Sequence, residues 1–251
     1  MNLVKMNLYR AFLRPSTWIL LGISFLSPIV MTIGSNLFLS WFGGMEGYSV
    51  NLIKETATAV GTPALLFALT ILISNFANVE NRTGYVKNIA GQTARRSDFF
   101  LSKLATQAIF VALYLVAAIV AKFLVLVITH ANYIVFDGEN LVKSLASVLI
   151  AYLILNAFAT MILTLTTLMR DSTVSLVVGL MICFGAESMI SMAAGYMFDK
   201  MQLDITLKNY LLYSQIGALG EHMVRPLVIG VIYFAVFAIV GVIVSEKRDA
   251  V

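Results

Sequence analysis

Six long apolar runs constrain this chain more than any other feature of its sequence. They cover 18–42, 56–79, 104–128, 144–169, 174–198 and 226–244. Each run holds 19–26 residues, and about 20 helical residues cross a hydrocarbon core of ~30 Å. Strands of a membrane barrel are about half as long and alternate in polarity. The pattern therefore predicts one all-α integral membrane domain over 1–251 with six transmembrane helices.

The distribution of positive charge predicts the orientation of these helices. The chain is 60% hydrophobic with a formal net charge of +4, a sign that taken alone would suit a nucleic-acid partner. With the N-terminus placed inside, however, 11 Lys and Arg residues lie in the inner segments and 5 in the outer ones. Cytoplasmic segments of membrane proteins carry such an excess. We therefore expect both termini to be cytoplasmic, and no nucleic acid is needed to explain the charge.

The N-terminal segment 1–14 predicts an interfacial helix that ends before Pro15. Its apolar side holds Val4, Leu8, Ala11 and Phe12, its polar side Asn7, Arg10 and Arg14, and Leu3 and Met6 interrupt the pattern. The cations suit anionic headgroups. The first apolar run is too long for a signal peptide, so we expect no cleavage.

Two connections predict further elements of the membrane domain. The link 170–173 is so short that spans four and five must form a tight hairpin, with Asp171 or Ser172 as the helix cap. The outer segment 206–225 contains an apolar stretch too short to span, which favours a re-entrant element between helices 5 and 6. Pro28 and Gly185 are the candidates for interruptions of spans, too few to establish an inverted repeat.

Motifs for catalysis and metal binding are absent from the sequence. No G-x-x-x-x-G-K-[ST] phosphate loop and no H-E-x-x-H motif occurs. The lone Cys183 lies inside an apolar run, which is typical of a small buried hydrophobe. No histidine lies within a span to serve a hydrolase beside Glu187 and Ser188. We therefore expect no catalytic residue, no metal site and no cofactor bound by this chain.

Polar residues inside the spans are the candidates for a translocation path or a subunit interface. Glu187 lies near the middle of the fifth run and Asn156 at a similar depth in the fourth, so the tight hairpin predicts that they meet. A carboxylate there faces protein or water, or is protonated. Ser188 and Ser191 join this candidate set, and a structural hydrogen bond between helices is the alternative. Lys122 is expected to snorkel toward the outer surface.

The segment 80–103 is the one sizeable polar break on the inner side, and it carries five of the eleven inner cations. Gly84 and Gly91 bracket a short piece in which Tyr85, Val86 and Ile89 form an apolar patch ringed by positive charge. Ser97 or Asp98 is expected to cap the third span. The segment suits either docking of a protein partner or contact with anionic lipid.

With its six spans, inner termini and long inner 2–3 segment, the chain resembles the ABC-2 type permeases, the membrane half of ABC exporters. Their 2–3 loop runs Glu, Gly, a basic or apolar helix, a turn with Arg, and a Lys that starts the third span. Matching positions are Glu80, Gly84, Lys87, Arg95 or Arg96, and Lys103. The family's usual Pro in the turn is replaced by Gln92-Thr93-Ala94.

The resemblance implies that this loop is a coupling helix seated in a groove of a separate ATPase subunit. The implied coupling residues are Glu80, Gly84, Tyr85, Val86, Lys87, Asn88, Ile89, Arg95 and Arg96. Two permease chains and two ATPase chains would form the transporter, with ATP and Mg on the ATPase subunits in a bacterial cell membrane. In its short length and lack of an extra domain, the chain resembles the branch of the family that exports amphipathic or antimicrobial peptides. Export of lipids or hydrophobic drugs, and a secondary transporter using Glu187, are the alternatives.

Overall fold

Most of the molecule is a bundle of long helices around one central helix. The computed structural model describes residues 3–41, 50–51, 55, 62–83, 96–129, 134–135, 139–169, 171–201, 207–217 and 223–247. The helices are α1 (Leu3–Phe12), α2 (Pro15–Trp41), α3 (Pro63–Thr83), α4 (Arg96–Thr129), α5 (Glu139–Met169), α6 (Ser172–Cys183), α7 (Ala186–Lys200), α8 (Leu212–Gly217) and α9 (Val224–Lys247), with a 3₁₀ turn at Leu207–Tyr210. Two short strands, β1 (Val50–Asn51) and β2 (Ile134–Val135), pair in parallel.

Helix α5 lies at the centre of the bundle. Its most apolar window is 67% buried, against 17% for that of α9, and it packs against α3, α4, α6 and α9. Apolar residues on every side of a helix suit a position with protein neighbours all round. Gln107 of α4 donates to the Thr160 hydroxyl at 2.5 Å, and Thr164 donates to the carbonyl of Phe237 in α9 at 2.9 Å. These bonds satisfy polar groups where water is absent.

The described helices establish a multi-pass helical membrane protein. Helices α2, α4, α5 and α9 are long and apolar enough to cross a membrane, and the pair α6 and α7 makes a fifth span if its two bent halves count as one. Helix α3 has a shorter apolar part, Pro63–Val79. Its predicted span began at 56, but residues 56–61 lie outside the described residues. The total of six spans therefore stays a prediction.

Helix α4 begins well before the predicted third span. Hydropathy placed the span at 104–128, whereas the helix starts at Arg96 and has Asp98 in its first turn. Hydropathy marks only the part of a helix that matches the hydrocarbon layer, and polar residues continue the helix beyond it. The predicted loop 80–103 is therefore helical at both ends, over 80–83 and 96–103.

The corner between α1 and α2 is closed by side chains of α2. Thr17 donates to the carbonyl of Ala11 at 2.7 Å, and the Trp18 indole donates to that of Phe12 at 2.9 Å. These carbonyls lie in the last turn of α1, where helix carbonyls have no i+4 N–H donor. The expected apolar side of α1 was partly wrong, because Met6 and Asn7 are buried. Packing against α4 rotated the buried side relative to the predicted stripe.

Lys122 points into the protein, so the expected snorkelling was wrong. Its ammonium group donates to the Thr32 hydroxyl of α2 at 2.9 Å, and Thr32 donates to the carbonyl of Pro28 at 2.7 Å. Pro28 has no N–H for the carbonyl of Ser24, and the Ser27 hydroxyl donates to that carbonyl at 3.4 Å. The Thr32 hydroxyl, one turn beyond Pro28, thus gives Lys122 a polar partner within the bundle.

The fifth predicted span is broken in the middle. Helices α6 and α7 meet at an angle of 69°, across Phe184 and Gly185. Gly185 has φ +87°, a left-handed conformation that glycine adopts without steric cost and that commonly ends helices. The apolar run 174–198 predicted one span with Gly185 as a candidate interruption, and the break lies at that glycine. The angle was not predicted, because hydropathy does not report backbone direction.

Candidate functional site

Helices α3 and α4 enter and leave the predicted coupling segment, and their ends frame the candidate site. Glu80 lies in the last turn of α3, and Arg96 is the first residue of α4. The other predicted coupling residues lie outside the described residues: Gly84, Tyr85, Val86, Lys87, Asn88, Ile89 and Arg95. The structure describes residues 74–78 of α3 and 97–103 of α4, which flank the segment. These residues and their contacts are called the base of the segment.

Lys103 fastens the two framing helices to each other. Its ammonium group donates to the carbonyl of Ala77 in α3 at 3.0 Å and lies 4.9 Å from the centre of the Phe99 ring. The residue is only 6% exposed. Hydrogen bonds from a charged donor are the stronger kind, and a desolvated cation near an aromatic face gains further attraction. A residue identified in the sequence as the start of a span is therefore a buried anchor between α3 and α4.

Asn78 extends this base to the hairpin between spans four and five. Its amide donates to the Ser172 hydroxyl at 3.1 Å, and Ser172 is the first residue of α6. One turn deeper, Thr166 of α5 donates to Ser175 at 2.7 Å, and Ser175 donates to Ser74 at 3.3 Å. A chain of buried hydroxyls thus ties α3, α5 and α6 together beside the segment.

Asp171 caps α6, as the sequence predicted for Asp171 or Ser172. Its carboxylate accepts hydrogen bonds from the backbone N–H and the hydroxyl of Thr173, both at 3.0 Å. A capping carboxylate satisfies an N–H at a helix start that has no helical partner. The hydroxyl of Ser172 accepts a hydrogen bond from the amide of Asn78.

The first and last helices also reach the base of the segment. Asn7 of α1 donates to the Ser102 hydroxyl at 3.2 Å and is 1% exposed. Gly241 of α9 packs so tightly on the Phe100 ring that a methyl group in place of its hydrogen would collide with three ring carbons. Both terminal helices therefore meet α4 at the end of the bundle where the segment lies.

The predicted pair of Asn156 and Glu187 does not form a hydrogen bond in the described part of the chain. Asn156 is 4% exposed, donates to the carbonyl of Tyr152 in its own helix, and its Oδ1 has no hydrogen-bond partner. Glu187 is half-buried in the first turn of α7. The 69° bend turns α7 away from the course that a straight fifth span would follow.

Ser188 and Ser191 bond to their own helix. Ser188 donates to the carbonyl of Gly185 at 2.6 Å and Ser191 to that of Ser188 at 2.9 Å. Around them α7 exposes a run of large apolar side chains: Met189, Ile190, Met192, Tyr196 and Met197. This surface of α7 is open to lipid or to another protein.

A cavity at the opposite end of the bundle was missed from the sequence. It has a volume of about 810 Å³ and lies between the 3₁₀ turn Leu207–Tyr210 and the start of α9. Tyr210 and Arg225 line it. An aromatic residue and a cation beside the start of a span form the usual interfacial anchor pattern, and that signal was present in the sequence.

Long apolar helices, the hairpin at Asp171 and the polar base between α3 and α4 define a multi-pass helical membrane protein. The model of one family, described as ABC-2 family transporter protein, matches residues 13–187. The chain belongs to this ABC-2 family. It is accordingly the membrane permease of an ABC transporter, with an ABC ATPase as its implied partner. Comparisons with curated proteins and with solved structures return no match.

Proposed function

We propose that this permease drives export of amphipathic or antimicrobial peptides with ATP hydrolysed on a separate nucleotide-binding subunit. The ATPase docks on the segment 80–103, and ATP and Mg²⁺ stay on that partner. The observation that carries the proposal is the polar base of the segment. Lys103 joins α3 to α4, Asn78 joins α3 to α6, and Asn7 joins α1 to α4.

A force on the segment is then transmitted to several helices at once. Packed helices with fixed hydrogen bonds move as rigid bodies, and domain motion is carried through such contacts. ATP binding closes the two ATPases and displaces the segment. The displaced α3 and α4 reposition α6, whose bend at Gly185 leads into the exposed α7. This movement changes which side of the membrane the path between two permease copies faces.

The segment lies on the cytoplasmic side in this proposal. The excess of Lys and Arg in the inner segments favours that orientation. The full topology then has six spans, with α3 as the second span and the pair α6 and α7 as the fifth. The 3₁₀ turn and α8 belong to the re-entrant element between the last two spans.

The surface of α7 is the proposed contact with the second permease copy and with the peptide. Met side chains are unbranched and adapt to irregular apolar partners, which suits a path that accepts amphipathic helices of varied sequence. Glu187, Ser188 and Ser191 belong to this path in the proposal, with Glu187 as its acidic group, whereas Asn156 is buried in α5 at 4% exposure and is assigned to contacts between helices. A mid-membrane carboxylate marks a substrate path by default.

Docking is tested by crosslinking from a single cysteine. The native Cys183 is buried at 8% exposure, so a cysteine introduced by Tyr85→Cys reports on the segment. The matched control is Trp41→Cys, because Trp41 is the last residue of α2 and is 89% exposed. We expect Tyr85→Cys alone to crosslink to the co-expressed ATPase in a complex of two permeases and two ATPases. Equal crosslinking from both positions, or a permease that purifies without ATPase, contradicts the docking proposal.

Coupling and substrate class are tested by transport. We expect Gly84→Pro and the double change of Tyr85 and Ile89 to Asp to separate ATP hydrolysis from transport while membrane insertion persists. An amphipathic peptide should stimulate ATP hydrolysis in proteoliposomes, and a scrambled peptide of equal composition should not. Stimulation by lipids or hydrophobic drugs instead would reject peptide export and keep the ATPase coupling.

A further inference from the structure

The cavity beside the start of α9 is built around one backbone carbonyl. The carbonyl of Asn209 accepts a hydrogen bond from Gln215 Nε2 at 2.8 Å and another from Arg225 Nε at 3.0 Å. Gln215 is 2% exposed, so the 3₁₀ turn is held from its buried side. A further bond joins the Tyr233 hydroxyl to the carbonyl of Tyr210 at 3.3 Å. The turn is therefore held by Gln215 of α8 and fixed against α9 by Arg225 and Tyr233.

Arg225 is oriented by this arrangement. Its Nε–H donates to the carbonyl of Asn209. The terminal N–H groups of the guanidinium therefore remain for a ligand in the cavity that Arg225 lines. Within the described ranges no carboxylate forms a salt bridge with it. A guanidinium presents its N–H groups in a planar fork that matches the geometry of a phosphate.

The rest of the cavity is apolar and continues onto the membrane face of α9. Its lining from that helix includes Val224, Val228, Ile229 and Ile232. Val228 and Ile232 lie one turn apart and are about half exposed, at 46% and 52%. A chain seated against them runs along a helix that crosses the membrane. Tyr210, 62% exposed, lies at the same end as Arg225, where aromatic residues meet the headgroup layer.

We propose that this cavity binds one anionic phospholipid. The phosphate and headgroup lie against Arg225 and Tyr210, and one acyl chain follows Val228 and Ile232. The charge of Arg225 selects an anionic over a zwitterionic headgroup, and the apolar wall explains why a lipid rather than a soluble phosphate occupies the site. Bound there, the lipid packs the 3₁₀ turn and α9 together. The inference stands on these contacts and does not depend on peptide export or on ATPase docking.

Native mass spectrometry of the purified permease tests the proposal. The protein is supplied with equal amounts of phosphatidylglycerol and phosphatidylcholine that carry identical acyl chains. We expect one phosphatidylglycerol per chain to be retained preferentially, and Arg225→Gln to lower its retention by about fivefold, since one cation near a membrane surface contributes about that factor. Lys143→Gln is the matched control, because Lys143 is an exposed cation near the start of α5, outside the cavity.

Arg225→Lys separates charge from structure. This variant keeps the positive charge, so preferential retention of phosphatidylglycerol should persist even if the bond to Asn209 weakens. Equal retention of both lipids by the unmodified protein overturns the proposal. Equal loss in Arg225→Gln and Lys143→Gln overturns it too, because surface charge then suffices. Retention of a peptide in place of lipid assigns the cavity to a peptide and also rejects it.

Discussion

Replacement of Gly241 by alanine is the sharpest test of the packing between α9 and α4. A Cβ at this position falls among three carbons of the Phe100 ring, two of them at 2.6 and 2.7 Å, distances that real Cβ contacts do not reach. Phe100 is 2% exposed and lies one turn into α4. Because the ring is enclosed, it cannot swing away without moving its neighbours.

The expected loss of stability for Gly241→Ala is about 1–3 kcal/mol, the usual cost of overpacking. Gly22→Ala is the matched control, because the structure has nothing within 4 Å of a Cβ at Gly22 in α2. There alanine should leave stability unchanged or raise it by up to about 1 kcal/mol, since glycine is the poorer helix former. Thermal unfolding in detergent, followed by loss of the monodisperse peak, measures both variants side by side.

A second substitution identifies the cause of the loss. Phe100→Leu alone should destabilise by removing buried ring atoms. The double variant Gly241→Ala with Phe100→Leu should lose about 1 kcal/mol less stability than the sum of the two single losses. The smaller leucine side chain leaves room for the methyl group of Ala at position 241. If Gly241→Ala is as stable as Gly22→Ala, or if the two effects simply add, the tight contact between α9 and α4 is not as described.

Three further predictions concern the polar contacts. Lys103→Met should lower stability by about 1–2 kcal/mol, because the loss of a charged hydrogen bond outweighs the desolvation cost that the buried ammonium no longer incurs. Lys103→Arg should retain more stability in the same thermal assay. Asn78→Ala and Ser172→Ala should each destabilise slightly, and a double-mutant cycle should give a coupling energy of about 0.6 kcal/mol, typical of hydrogen bonds between membrane helices; zero coupling would refute the bond. Thr32→Val should destabilise by about 1–3 kcal/mol by removing the hydroxyl that accepts a hydrogen bond from the ammonium of Lys122, and Lys122→Met should suppress that loss; a Lys122→Met variant that adds to the loss would refute the pairing.

The contacts of Lys103 and Lys122 show where reasoning from the sequence stopped. Lys103 was matched to the family's Lys at the start of the third span, and Lys122 was expected to snorkel toward the outer surface. Each donates instead to a group on another helix, Ala77 in α3 and Thr32 in α2. The partner of a side chain depends on how distant helices pack, and hydropathy along the chain carries no information on that.

The sequence by itself determined the class of protein, the helical character of its apolar runs, the short hairpin with a cap at Asp171 or Ser172, the candidate interruption at Gly185 and the family resemblance that the match over 13–187 bears out. These follow from local properties: the length of an apolar run, the charge between runs and the turn chemistry of a few residues. Only the tertiary structure decided the buried face of α1, the base that joins α3, α4 and α6, and the cavity at Arg225. Each of these arises between residues far apart in the chain, such as Asn7 and Ser102, because buried polar groups take their partners from whichever helix lies beside them.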